Sequence, residues 1–211
     1  MSLQPWNSSY TMSTYTRFLI SVLALFMPFS IHAEDMQLDA SLLLGSFDAG
    51  GNDDFKSNKA IAAYYNYYLR DWIAFNAGLL VTDKALDETR KDIVGTYRAS
   101  LQSSSILIGI KPRYKFSTPY EVFGRLGLQY WQTELKVEEY FNDKIPEGST
   151  TINDTGYGYY FSLGGAYYVT DNVVLQLELS RFTQLDVFGG DSSYPFDLDM
   201  KALSFGVGYR F

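Results

Sequence analysis

Residues 202–211 read Ala-Leu-Ser-Phe-Gly-Val-Gly-Tyr-Arg-Phe. Successive side chains of a strand point to opposite sides, so Leu203, Phe205, Val207, Tyr209 and Phe211 share one face. Ser204, Gly206, Gly208 and Arg210 share the other. A half-buried strand of a soluble sheet would turn its large face inward and leave glycine and serine as its water face. Lipid reverses the choice, taking the large apolar side chains outward and leaving the small and polar ones to a lumen.

The same period of two recurs along the chain. Ile73, Phe75, Ala77, Leu79 and Val81 alternate against Asn76 and Gly78, and Ile106, Ile108 and Ile110 against Leu107, Gly109 and Lys111. Val122 to Gln129, Tyr157 to Tyr167 and Val173 to Ser180 repeat it. Eight such segments are predicted, over 36–47, 59–69, 72–82, 101–116, 120–135, 156–169, 173–186 and 198–211. Short connections at Arg70-Asp71, Ser117-Thr118-Pro119 and Thr170-Asp171-Asn172 alternate with longer polar ones at 48–58, 83–100, 136–155 and 187–197. The expected fold is all-β: an eight-stranded antiparallel up-and-down transmembrane β-barrel with short periplasmic turns and long external loops. Trp72, Tyr114, Phe116, Tyr120, Tyr167, Tyr168, Tyr209 and Phe211 lie near the short turns, as an interfacial aromatic belt requires.

Outward from the barrel, Phe18 to Phe29 is an uncharged apolar run after Arg17, too short for a comfortable helical span and suited to a signal-peptide core. Cleavage is expected after Ala33, giving a signal peptide over 1–33, with Met12 as an alternative start, and a barrel over 34–211. Removal of Arg17 takes 17 basic against 24 acidic residues to 16 against 24, or −8. An acidic chain without a basic face is a poor nucleic-acid binder. The absence of cysteine excludes disulfides, thiolate zinc sites and cysteine nucleophiles. The only histidine, His32, leaves with the leader.

The leader, the eight alternating segments and the ending Ala202–Phe211 together resemble the OmpA/OmpX-type outer-membrane β-barrel domain family. The resemblance implies a location in the Gram-negative outer membrane and insertion by the barrel assembly machinery. Phe205, Val207, Tyr209 and Phe211 resemble that machinery's recognition signal. The periplasmic domain that follows the barrel in full OmpA proteins is not expected here, and a monomer is.

Barrel enzymes of similar size employ a histidine base, which the mature chain lacks. Ser103-Ser104-Ser105 therefore reads as a small polar strand end, and Asp197 with Asp199 as solvated acids. No enzymatic activity, cofactor or metal is expected. The loop from Asp48 to Asp54 lacks the spacing of a calcium loop. Segment 83–100 mixes charges, and Glu138-Glu139-Tyr140-Phe141 offers aromatics for either recognition or packing against a neighbouring loop. Asn153-Asp154-Thr155 matches a glycosylation sequon, which is uninformative in a bacterial envelope.

Strand parity sends Asp39, Lys111, Arg113, Lys115, Glu121, Arg125, Glu178 and Arg210 into the lumen with Asn66, Gln129 and Gln176. Buried charges need partners, so Glu178 is expected on Arg125 or Lys111, closing the water path. Arg181 and Lys201 are expected outside, near the external interface, where lipopolysaccharide phosphates or simple snorkelling both explain a cation. The expected role is a non-enzymatic surface barrel whose external loops serve envelope integrity or contact an outside partner, including adhesion or colonisation. A narrow gated channel is the alternative.

Overall fold

The computed structural model describes residues 36–49, 57–83, 86–91, 95–117, 119–141, 145–189 and 196–211. The signal-peptide reading of 1–33, the start at Met12 and most of the 48–58 and 187–197 loops lie outside the described residues. The strands are β1 (Met36–Ala49), β2 (Ser57–Arg70), β3 (Ile73–Thr82), β4 (Leu86–Lys91), β5 (Gly95–Ser117), β6 (Tyr120–Phe141), β7 (Ile145–Tyr168), β8 (Val173–Val187) and β9 (Phe196–Arg210). Their order is β3-β2-β1-β9-β8-β7-β6-β5-β4, every pairing is antiparallel, and β3 also pairs with β5. Eight strands thus close a ring, with β4 added to the outer part of β5. Closure leaves no open edge in the membrane band, where each unpaired backbone group would cost several kcal/mol.

Burial follows the parity read from sequence. Outward residues such as Leu128, Leu163, Leu179 and Phe205 are exposed to what lipid would cover, while their neighbours in sequence are buried or half-buried. Tyr168 departs from the expected belt. It lies on the face of Ala166 and points inward, its hydroxyl donating to Glu121 Oε2 at 2.7 Å.

The connections expected at 83–100 and 136–155 are corrected. β5, β6 and β7 run 23, 22 and 24 residues, and their ladders continue to Gly95 opposite Phe141 and Phe141 opposite Ile145. The physical reason is that hydrophobic alternation marks only the lipid-facing part of a strand. Beyond the membrane both faces meet water, so the pattern stops while hydrogen bonding continues. A four-stranded sheet, β4-β5-β6-β7, therefore stands beyond the ring.

The inward face is less uniformly small and polar than the sequence suggests. Leu43, Leu80, Leu107, Trp131, Tyr160, Phe182 and Met200 belong to an apolar cluster that fills the outer part of the lumen. The inward glycines make room for its rings. Tyr64 lies opposite Gly78, Phe123 opposite Gly164, Trp131 opposite Gly156 and Tyr160 opposite Gly127. A Cβ on those glycines would come within 2.6, 2.6, 2.4 and 2.7 Å of the respective rings. Each socket is a directly opposed cross-strand pair, so aromatic size and glycine space are matched strand to strand.

Candidate functional site

The lumen is crossed by one hydrogen-bonded cluster centred on Asp39 of β1. Its Oδ1 accepts from Gln37 Nε2 at 2.6 Å and Gln176 Nε2 at 2.9 Å. Its Oδ2 accepts from Asn66 Nδ2 at 2.8 Å, Arg125 Nη2 at 2.7 Å and Lys111 Nζ at 3.3 Å. Arg125 Nη1 donates to Glu178 Oε2, and Nη2 also reaches Gln176 Oε1 at 3.1 Å. Two cations thus face two carboxylates, and the side chains of Asp39, Lys111 and Arg125 are 0% exposed. Such burial is tolerable only because the charges balance and Asp39 is so fully hydrogen-bonded. The guanidinium of Arg125 also lies 4.3 Å from the Tyr64 ring and 4.8 Å from Phe123.

Two arms extend from this centre. Outward, Asn76 Nδ2 donates to Asn66 Oδ1 at 2.7 Å, and Tyr160 donates to Asn76 Oδ1 at 2.8 Å. Toward the short turns, Tyr68 donates to Gln37 Oε1 at 3.0 Å, and its ring stacks under the Arg113 guanidinium at 3.7 Å. Arg113 pairs with Glu121 at 3.3 Å and donates through Nε to the Asp71 carbonyl at 2.7 Å. The chain of contacts runs from a turn at one end to the apolar cluster at the other. Its central groups, Asp39, Lys111 and Arg125, are out of solvent contact.

The structure therefore brings Glu178 onto Arg125 and leaves Lys111 to Asp39. Arg210 lies nearer the mouth, 5.9 Å from the Tyr68 ring, and Lys115 is exposed there, 5.5 Å from the Tyr168 ring. Parity had placed Asp39 inside without identifying it as the shared acceptor. Gln37, Tyr64 and Tyr68 were missed, although each sits two residues from Asp39 or Asn66, already assigned inward, while Asn76 and Tyr160 were placed on the inward face without partners. Ser103 Oγ is tied to Thr133 at 3.1 Å and Gln184 at 2.7 Å, in a small polar knot above the centre.

On the outer face, Arg181 and Lys201 stand directly opposite one another on β8 and β9. Arg181 is engaged by Asp199, Nη2 to Oδ2 at 2.5 Å, a partner that the sequence reading treated as solvated. Asp197 Oδ1 accepts the Asp186 N–H at 3.1 Å. Phe205, Val207, Tyr209 and Phe211 all face outward on and just after β9, and the Phe211 N–H donates to the Met36 carbonyl at 3.0 Å.

In the sheet beyond the ring, Ile145–Tyr157 of β7 pairs with β6 alone among the described residues, because the β8 ladder begins at Gly158. That edge extends about 40 Å along the strand at the usual rise. Asp154 marks its base, accepting the Phe188 N–H at 2.5 Å. From Gly148 to Asn153 the edge reads Gly-Ser-Thr-Thr-Ile-Asn, without charge or proline. The opposite edge, β4, reads Leu-Asp-Glu-Thr-Arg-Lys, the charged composition that guards an edge against pairing. Tyr140 packs within its own sheet, 5.3 Å from the Arg98 guanidinium, and donates to Glu138 at 3.1 Å.

The family model of the outer membrane protein beta-barrel domain matches residues 18–211. The structure is similar to Neisserial surface protein A (NspA), with a TM-score of 0.57 and 13% identity over 83% of this chain and 97% of that one. It is similar to Ail, the attachment invasion locus protein of Yersinia pestis, at TM-score 0.53 and 12% identity over 85% and 100%. A major outer membrane protein from Thermus thermophilus gives 0.54 and 18% over 83% and 99%. At these identities the likeness shows the fold alone. Comparison with curated proteins gives no match.

Proposed function

Because this chain belongs to the outer membrane protein beta-barrel domain family, we propose that it is a non-enzymatic surface barrel that contacts an extended polypeptide outside the cell through the edge of β7 that no described residue pairs. One observation carries the reading: the β7 edge beyond the ring has an uncharged, proline-free stretch, Gly148–Asn153, between Glu147 and Asp154, while β4 at the far edge of the same sheet is charged along most of its length. An unpaired edge presents a row of N–H and C=O groups that a partner strand can satisfy, with side-chain contacts adding selectivity. The occluded lumen supports the same reading, since it favours a role carried on the outside. Attachment in the relative Ail is that protein's own property and lends this reading only plausibility.

The test deletes residues 136–155, leaving Gln132–Leu135 as a four-residue connection between Trp131 of β6 and Gly156 of β7, and compares cells displaying either protein on an epithelial monolayer. Heat-modifiable gel mobility checks that both barrels are folded. The full chain should raise adherence several-fold over cells without it, and the deletion should remove that gain while bilayer conductance stays at baseline. Adherence that neither the full chain nor the deletion alters would overturn the reading.

A further inference from the structure

The pairing of Arg181 with Lys201 is unusual for a lipid-facing position. Like charges directly opposite on neighbouring strands destabilise the sheet, and a poorly solvating surround increases that cost. Asp199 hydrogen-bonds one of them: its carboxylate takes Nη2 of Arg181 at 2.5 Å and Nε at 3.3 Å, and Thr183 donates to it at 2.5 Å. Among the described residues Lys201 makes no ion pair, and it is exposed.

Beneath these groups is a shallow groove lined by Phe161, Leu179 and Leu203, with Arg181 and Lys201 at its rim. Phe161 stands opposite Arg181 on β7, and Leu179 opposite Leu203 between β8 and β9. Along β8, Arg181 is eight residues from Val173 at the turn end. At the usual rise and tilt that is about 20 Å above the inner interface, close to the outer limit of an apolar band about 25 Å tall. Acyl chains end and headgroups begin at that depth.

We propose that this face binds one phosphorylated glycolipid of the outer leaflet. Its phosphate meets Lys201 and Arg181, and an acyl chain lies over Phe161, Leu179 and Leu203. Asp199 holds the guanidinium in place and is not itself a ligand. A phosphate placed between two opposed cations converts their repulsion into two charge-assisted contacts. Snorkelling alone would serve either cation singly but does not require an apolar groove between them. The proposal depends on the depth of the cluster and not on the edge of β7.

The experiment uses the whole folded chain in detergent, with bis-phosphorylated lipid A, dephosphorylated lipid A and inorganic phosphate as separate probes. Native mass spectrometry reads the bound species, and heat-modifiable mobility confirms folding. Wild type should retain one phosphorylated lipid at least tenfold better than the dephosphorylated one, with millimolar inorganic phosphate failing to displace it. Lys201→Gln should lose most of that preference and Lys201→Arg should keep it. Equal retention of the two lipids, or an unchanged preference in folded Lys201→Gln, would overturn the proposal, as would displacement by inorganic phosphate alone.

Discussion

Five side chains donate to the Asp39 carboxylate, so replacing it disturbs more than one pair. Glu178→Gln leaves Arg125 with Asp39, and the expected loss is about 3 kcal/mol, the lower end for breaking one side of a buried pair. Asp39→Asn should cost more, because Lys111 and Arg125 lose their common anion together. Urea unfolding in lipid vesicles measures both, and an Asp39→Asn loss no greater than that of Glu178→Gln would contradict the central position of Asp39. Gly127 offers a second test. A Cβ there meets the Ile108 carbonyl oxygen at 2.2 Å and the Tyr160 ring at 2.7 Å, whereas at Gly148 nothing lies within 4 Å. Gly127→Ala should therefore destabilise by about 1–3 kcal/mol, the usual range for overpacking. Gly148→Ala in the same assay should be near neutral. The faces of these residues were legible in the sequence, because parity is a local property. Their partners were less so: contacts across the lumen depend on how far adjacent strands are staggered, and period-two reading contains no stagger. That is why Asp39 was placed inside but not made the hub, and why Asp199 was read as solvated when it holds Arg181.

Strand length separates what lipid dictates from what water permits. The lipid-facing parts of all eight ring strands were legible, since each must hide its backbone and show an apolar face. The outer parts of β5, β6 and β7 were not, because Lys136, Glu138 and Tyr140 read equally well as a polar loop. Within that sheet Lys136 and Glu138 are bonded at 2.6 Å. The lysine ammonium and the Tyr140 hydroxyl beside Glu138 hold its carboxyl below the ordinary glutamate value. A lowered folded-state pKa means the contact contributes above the unfolded pKa and is lost as pH falls through the folded one. Carbon-detected NMR of the Glu138 carboxyl should give a midpoint below that of a free glutamate, moving upward in Lys136→Gln. An ordinary midpoint in the wild type would mean that the pair does not persist in solution.

At the scale of the whole molecule, closure of the ring and closure of its interior are distinct achievements. Backbone pairing closes the ring, and the sequence pattern is sufficient to expect it. The interior is closed by two layers, a charge-balanced centre around Asp39 and an apolar cluster toward the outside, and only the first was anticipated. Among the described residues the central charges of this lumen, Asp39, Lys111, Arg125 and Glu178, are paired with one another and buried. That leaves the outer sheet and the lipid-facing surface as the parts available for work. Single-channel recording of the unmodified full-length barrel in a planar bilayer tests that occlusion most directly. No steady conductance is expected from the wild type, and brief openings are expected to become more frequent in Asp39→Asn. Large, stable currents from the wild type would contradict the closed lumen and make transport through the barrel the better reading.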